Sequence, residues 1–215
     1  MLVKDYMTRH PVMVDPDMSI VEAQNIMSET QVRHLPVTGE GKRLVGLITR
    51  QRMRIPPTEL ASLNVWEITR FLSNLCVRDV MVKRKNVITT TPDATLEEAA
   101  KIMIDNKIGS LPVLEDDIVI GIITEIDMMT QLTDLLGGNE PGVRVTIRMP
   151  NRKGELAKAT GAISDQGWGI YASGGVKTPK DPDHWDCVIK VRGVSQEELV
   201  NVLKTIEGQE IIDVR

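Results

Sequence analysis

The stretch that decides the fold is Gly121-Ile122-Ile123-Thr124-Glu125-Ile126-Asp127. A short apolar run, typical of a buried strand, ends at Thr124, and a helical pattern begins there. Thr124 is a good N-cap and Asp127 stands where the acid of a capping box stands, so the motif can serve only to start a helix. The same geometry offers helix N-terminal N–H groups to a phosphate and a carboxylate to ribose hydroxyls. These residues alone leave both roles open.

A near-copy of this stretch occurs earlier, as Gly46-Leu47-Ile48-Thr49-Arg50-Gln51-Arg52. Other segments recur at a nearly constant offset: Val3–Met7 as Val77–Met81, Asp15–Ile20 as Thr91–Leu96, and Leu35–Val37 as Leu111–Val113. An offset that persists through every element indicates a tandem duplication. Each copy predicts a short helix, a strand, a helix, two strands and a final helix.

The motifs are an Asp-x-Met start, Pro-Asp before the first long helix, Leu-Pro-Val, and Gly-x-x-Thr-x-x-Asp, whose last residue is Arg52 in the first copy. In this order, twice, they resemble a pair of CBS (cystathionine-β-synthase-type) domains, the Bateman module. The resemblance implies CBS domain 1 at residues 1–56, a linker helix at 57–76 and CBS domain 2 at 77–136. That linker helix either crosses over the module or makes a dimer contact through Trp66 and Phe71.

Pairs of this family bind adenine nucleotides (AMP, ADP or ATP) or S-adenosylmethionine in two clefts between the copies, and act as sensors rather than catalysts. The resemblance places Thr124 and Asp127 at the ribose and phosphate of the ligand. Around the adenine it places a set of residues from the same copy: Ile88, Thr89, Lys107, Ile108, Gly109, Ser110 and Pro112. Ordinary core packing is the alternative role for the apolar members of this set.

The first copy departs from the pattern, because Arg52 stands where Asp127 stands in the second. A guanidinium group only donates hydrogen bonds and cannot accept one from a ribose hydroxyl. The first cleft is therefore either empty or bound to a ligand phosphate through Arg52, which favours a phosphorylated nucleotide over adenosine. The candidate residues of this copy are Val12, Met13, Arg33, His34, Pro36, Thr49 and Arg52. A solvated basic face is the alternative reading for Arg33, His34 and their basic neighbours.

A Gly-rich segment at residues 137–142 marks a domain boundary. The pattern from 142 to 215 predicts strand, helix, two strands, helix and strand, a ferredoxin-like βαββαβ order. Its turn at Asn151–Ala157 resembles that of an ACT domain, a small regulatory unit that often binds amino acids at a dimer interface. The implied effector residues are Asn151, Gly154 and Glu155. Lys153 replaces the family's usual proline, and Asn151 its leading acid, so a purely dimerising role is equally open.

Composition narrows the classes of function. The net charge of −4 and an aromatic content of 3% provide neither a basic footprint nor a stacking surface for nucleic acid. No apolar run is long enough to span a membrane, and a cytoplasmic protein is expected. His184 and Cys187, flanked by Asp181, Asp183 and Asp186, could be imagined as a metal-dependent hydrolase site, but their spacing matches no closed zinc pattern. We expect no enzymatic activity and no required cofactor.

The sequence thus predicts an α/β (α+β) protein with a tandem CBS pair and an ACT-type unit, an arrangement similar to the acetoin-utilisation family AcuB. The resemblance implies a homodimeric regulator in which nucleotide binding shifts the CBS pair between two arrangements. The ACT-like unit or a protein partner would respond to that shift, in control of acetoin or related carbon metabolism. The alternatives are a dimerisation module with vestigial clefts and an amino-acid sensor that acts through the ACT-like unit.

Overall fold

The computed structural model describes residues 1–53, 64, 66, 74–179 and 181–215. This part of the chain forms two compact units, Met1–Met128 and Met129–Arg215. Trp66 is 85% exposed, but Phe71 and most of the predicted linker helix at 57–76 lie outside the described residues. The linker helix and the domain boundaries given above therefore stay predictions.

The first unit contains two copies of one α/β pattern. Its described helices are α1 (Val3–Tyr6), α2 (Ile20–Glu29), α3 (Val77–Val80), α4 (Leu96–Asn106) and α5 (Glu125–Leu135), the last of which ends in the second unit. Its strands are β1 (Thr8–Arg9), β2 (His34–Thr38), β3 (Leu44–Thr49), β4 (Val82–Lys83), β5 (Ser110–Glu115) and β6 (Ile118–Thr124). Helix α2 begins at Ser19, whose hydroxyl accepts a hydrogen bond from the Glu22 N–H. Thr95 caps α4 through the equivalent bond from Glu98.

The two copies exchange their N-terminal segments. The sheets are ordered β2-β3-β4 and β1-β6-β5, so each takes a short strand from the other copy. The helices beside these strands are exchanged as well: Val3 packs in the core of the second copy with Leu96 and Ala99, and Val77 packs in the core of the first. The exchange makes each copy depend on the other for a complete core.

The glycine that begins the Gly-x-x-Thr stretch in each copy lies against the segment exchanged from the other copy. A Cβ on Gly46 would overlap the Met81 sulfur and lie 2.8 Å from the Val82 carbonyl oxygen, both from the exchanged segment. At Gly121 the overlap is with the Met7 sulfur, and the Thr8 carbonyl oxygen is at 3.1 Å. Each glycine thus leaves room for the segment that the other copy contributes.

Beyond the end of α5, the described residues of the second unit form a four-stranded antiparallel sheet with two helices. Its elements are β7 (Val143–Pro150), α6 (Glu155–Asp165), β8 (Gly169–Lys177), β9 (His184–Arg192), α7 (Gln196–Leu203) and β10 (Glu210–Val214). The strand order is β10-β7-β9-β8, the order of the ferredoxin-like split βαβ arrangement. Strand β7 alternates buried and half-buried residues along its whole length, as a strand with one face on the core should.

Candidate functional site: two clefts between the repeats

The larger cleft of the first unit has a volume of about 750 Å³. We call it the Arg52 cleft. From the first copy it is lined by Arg33, His34, Leu47, Thr49, Arg50, Gln51 and Arg52; from the second, by Val82, Asn86, Val87, Ile88, Lys107, Ile108, Gly109, Ser110 and Glu125. Apolar side chains and several cations therefore face the same space.

The smaller cleft, which we call the Asp127 cleft, has a volume of about 340 Å³. From the first copy it is lined by Thr8, His10, Pro11, Val12, Gln31, Val32, Arg33, His34 and Leu35; from the second, by Gly109, Ile122, Thr124, Glu125, Ile126 and Asp127. Four residues, Arg33, His34, Gly109 and Glu125, line both clefts. The two clefts thus share a wall.

Each cleft combines residues of both copies, whereas the sequence led us to group the candidate residues by copy. Ile88 and Ile108 were predicted to share a site with Thr124 and Asp127 of the same copy. They line the Arg52 cleft instead, whereas Thr124 and Asp127 line the Asp127 cleft with Val12 of the first copy. The predicted residues of the second copy are thus divided between two clefts, because each cleft takes part of its lining from the first copy.

Four predicted residues line neither cleft: Met13, Pro36, Thr89 and Pro112. The two prolines are buried within their strands, where the Pro36 carbonyl accepts a hydrogen bond from the Val14 N–H at 3.1 Å and the Pro112 carbonyl accepts one from Thr90 at 3.0 Å. Met13 packs against an apolar cluster that includes residues of both copies. A role for these four residues in ligand binding stays a prediction from the sequence.

Thr124 and Asp127 form a hydrogen-bonded cap at the start of α5. One oxygen of the Asp127 carboxylate accepts hydrogen bonds from the Thr124 N–H at 2.7 Å and from the Thr124 hydroxyl at 2.8 Å. Both residues remain half-buried on the wall of the Asp127 cleft. The capping role is therefore realised. A carboxylate has about four acceptor positions, so capping leaves capacity to accept a bond from a ligand hydroxyl.

The shared wall carries an ion pair and an imidazole. Arg33 and Glu125 form an ion pair at 3.4 Å that joins the two copies. Beside them, burial lowers the pKa of His34, the Arg33 charge lowers it further, and Glu125 opposes both effects. The His34 imidazole is consequently neutral near pH 7.

Sequence reasoning missed two charged residues of this site, Arg50 and Glu125. Both directly follow the threonine at the end of the Gly-x-x-Thr stretch, in the first and the second copy. Their position at a predicted helix start, where anionic ligands often bind, could have marked them as candidate site residues. Arg50 lines the Arg52 cleft, and its guanidinium also donates to the Met27 carbonyl at 3.4 Å.

The predicted effector residues of the second unit have mainly internal partners. Glu155 is buried, and its carboxylate accepts hydrogen bonds from Lys158 at 2.9 Å and from Gln209 at 3.1 Å. These bonds lower the pKa of Glu155. Gly154 is the N-cap of α6 with φ of 90°, and Asn151 is exposed, with its N–H bonded to the Asp183 carbonyl.

The His184 hairpin has no metal-binding geometry. Within the described residues, no group of three or more His, Cys, Asp or Glu side chains is placed to hold a metal ion. Asp186 binds Arg148 through two hydrogen bonds of 2.9 and 3.1 Å. Cys187 is buried, and burial raises the pKa of its thiol, which disfavours the thiolate that a metal or a substrate would need.

Comparison with known proteins identifies the architecture of the first unit. The pair in protein MJ0100, solved with 5′-methylthioadenosine and S-adenosyl-L-methionine, is 28% identical with a TM-score of 0.51, over 65% of this chain and 98% of that one. A Vibrio cholerae protein assigned to acetoin utilization (AcuB) is 30% identical with a TM-score of 0.52, over 66% and 98%.

Sequence relatives include much longer enzymes. Homoserine O-acetyltransferase of Methanohalobium evestigatum is 31% identical over 127 residues, which are 59% of this chain and 23% of the enzyme. The chain thus spans about a quarter of that relative's length. Separately, no helix within the described residues has the length and apolarity needed to cross a membrane. The CBS domain model matches residues 3–54 and 77–134, which together make up a little over half of the sequence, and this chain therefore belongs to the CBS-domain family.

Proposed function

We propose that the CBS pair of this chain is a sensor that binds an adenine nucleotide or a related adenosine compound between its two copies. The observation that carries the proposal is the Arg52 cleft, which is lined by the apolar Ile88 and Ile108 together with Arg52. Its volume of about 750 Å³ lies in the range of small-molecule sites, roughly 300–1,000 Å³. Apolar walls suit a planar base, and guanidinium groups suit a phosphate.

The class of ligand is supported by a relative. The pair of MJ0100, at 28% identity, was solved with two adenosine compounds, 5′-methylthioadenosine and S-adenosyl-L-methionine. Signalling by such a ligand requires different affinities for two arrangements of the module, since a ligand that binds both equally shifts nothing. The shared wall at Arg33 and Glu125 is the place where a ligand in either cleft touches both copies.

For the second unit we propose an ACT-type role in dimer formation rather than amino-acid binding at Asn151, Gly154 and Glu155. The engaged carboxylate of Glu155 favours this choice, because a buried group with internal partners must lose them to meet an effector. The similarity to AcuB supports a proposed link to acetoin or related carbon metabolism. Sedimentation at several protein concentrations tests the homodimer.

Isothermal titration of the full chain with AMP, ADP, ATP, S-adenosylmethionine and 5′-methylthioadenosine tests the sensor. We expect the parent protein to bind at least one of these compounds. Asp127→Ala should lower the affinity at the Asp127 cleft by about tenfold or more, because it removes an acceptor for ribose hydroxyls. Glu98→Ala is the matched control: Glu98 accepts the Thr95 N–H at 2.8 Å and lines neither cleft.

The control separates loss of a helix cap from loss of a ligand contact. Both variants should lose about 1 kcal/mol of stability, but only Asp127→Ala should lose affinity. If the parent protein binds none of the five compounds, the clefts are vestigial and the sensor proposal is wrong.

A further inference from the structure

The two clefts are related by the repeat but differ in charge at equivalent positions. Arg50 and Arg52 of the Arg52 cleft correspond to Glu125 and Asp127 of the Asp127 cleft. Lys107 corresponds in the same way to Gln31. The last pair adopts one backbone conformation, with φ of 53° at Lys107 and 55° at Gln31. Three cations of one cleft are therefore replaced in the other by two acids and an amide.

The cations of the Arg52 cleft are largely uncompensated. Among the described residues, four basic side chains line it: Arg33, Arg50, Arg52 and Lys107. Within that same described lining, Glu125 is the one carboxylate, and it pairs with Arg33. In the described part of the chain, neither Arg52 nor Lys107 has a carboxylate within ion-pair distance. These two side chains can bind an anion without breaking an existing pair.

The Asp127 cleft offers the opposite environment. In the described part of its lining, Asp127 and Glu125 are the acids and Arg33 is the arginine. His34, which also lines it, has a lowered pKa and is neutral near pH 7. A phosphate placed beside the Asp127 carboxylate would be repelled by about 1 kcal/mol at 4 Å in water, and by more in a half-buried site. The volume of about 340 Å³ also leaves less room for a polyphosphate chain. A nucleoside without phosphate meets neither obstacle.

We propose that the two clefts sort adenine compounds by charge. The Arg52 cleft takes a nucleotide with two or three phosphates, held by Arg52 and Lys107. The Asp127 cleft takes an adenosine compound without phosphate, whose ribose hydroxyls donate to Asp127. The inference rests on the proposed sensor function and assigns each cleft its class of ligand.

Titration of the full chain with adenosine, AMP, ADP and ATP, and separately with 5′-methylthioadenosine, tests the assignment. Affinity at the Arg52 cleft should rise by about tenfold from AMP to ATP and fall steeply with added salt, since each phosphate adds charge that ions screen. 5′-Methylthioadenosine should bind with little dependence on salt and should not displace ATP.

Charge reversal assigns each ligand to its cleft. Arg52→Asp should weaken ATP binding by more than tenfold and leave 5′-methylthioadenosine affinity within about twofold. Arg43→Asp is the matched control, because Arg43 is exposed and lines neither cleft, and it should change neither affinity. The milder Arg52→Gln should weaken ATP binding in the same direction if Arg52→Asp unfolds.

The outcomes separate this inference from the function on which it rests. If ATP and 5′-methylthioadenosine compete for one site, or if both Arg52 variants bind ATP as the parent does, sorting by charge is wrong although the protein remains a nucleotide sensor. If no adenine compound binds at all, the sensor function itself fails.

Discussion

The Arg33 guanidinium lies 3.4 Å from the Glu125 carboxylate, and this ion pair joins the two copies where their clefts meet. The side chains are 52% and 55% exposed, so the pair adds little to stability. Its position matters more than its strength. It holds one cation of the Arg52 cleft against a carboxylate that would repel an incoming phosphate.

Replacement of Glu125 by glutamine should therefore tighten nucleotide binding. Glu125→Gln removes a negative charge from the wall of the Arg52 cleft and frees Arg33 for a phosphate, so ATP affinity should rise by about threefold to tenfold. Titration calorimetry measures the change. Glu115→Gln, an exposed residue outside both clefts, is the control. Unchanged or weaker ATP binding in Glu125→Gln would show that Arg33 takes no part.

Alanine at Gly46 or Gly121 should destabilise the first unit. At each position the new methyl group would overlap a methionine sulfur of the exchanged segment; it would also collide with the Val82 carbonyl oxygen at Gly46 and crowd the Thr8 carbonyl oxygen, at 3.1 Å, at Gly121. A backbone carbonyl cannot move aside as a flexible side chain can, so the expected cost is about 1–3 kcal/mol. Urea unfolding, followed with a probe in each unit, measures this cost.

Gly39→Ala provides a control within the same unit. A Cβ there would make an ordinary contact of 3.5 Å with Val45, and φ is −96°, so stability should change by less than about 0.5 kcal/mol. Equal stability of Gly46→Ala and Gly39→Ala would mean that the exchanged segment does not pack on the glycine as described.

Much of the fold was predictable because it depends on local patterns. Helix α2 buries Ile20, Ala23 and Met27, a helical spacing that the sequence displays directly. Strand β7 alternates as its sequence does. The ferredoxin-like strand order followed from the order of elements.

The exchange between copies could not be predicted. Strands β1 and β4 have two residues each, too few to show a period, and their partners are distant in sequence. Ile88 and Asp127 both belong to the second copy, yet they line different clefts, because each cleft takes part of its lining from the first copy. The charge difference between Arg52 and Asp127 could be read from the sequence. The residues that line a cleft with each of them depend on how the two copies pack together.

Shortening Val3 tests the dependence of the second copy on the N-terminal segment. Val3 is fully buried in the core that contains Leu96 and Ala99. Val3→Ala should cost about 2 kcal/mol and increase hydrogen exchange in α4 and β5, far along the chain from the substitution. Val21→Ala is the control, because Val21 is 44% exposed. Faster hydrogen exchange in the first copy alone would contradict the packing of the N-terminal segment in the second copy.

Acid should weaken the second unit through Asp186. The hydrogen bonds from Arg148 lower the pKa of Asp186 below its ordinary 3.8, with a further contribution from Thr178. A carboxylate with a depressed pKa in the folded state stabilises the fold above its unfolded pKa and loses that contribution as the pH falls through the folded value. Between pH 5 and 2, Asp186→Asn should show a shallower fall in Tm than the parent. An equal fall in Tm for the variant and the parent would mean that the Arg148–Asp186 pair does not contribute to the acid transition.

His34 should make the first unit sensitive to mildly acidic pH. Burial and the Arg33 charge lower its pKa below the ordinary 6.5. As the pH falls below 6.5, His34 is therefore protonated in the unfolded chain before it is protonated in the folded chain. The free energy of unfolding is therefore unaffected by this group above about pH 6.5, and it falls with decreasing pH until the pKa of His34 in the folded state is reached. His34→Gln cannot take up this proton, and its Tm should fall less than that of the parent between pH 7.5 and 5.5. NMR titration of the His34 ring in the ligand-free protein gives the direct measurement, and a midpoint at or above 6.5 would contradict the burial of the neutral ring beside Arg33.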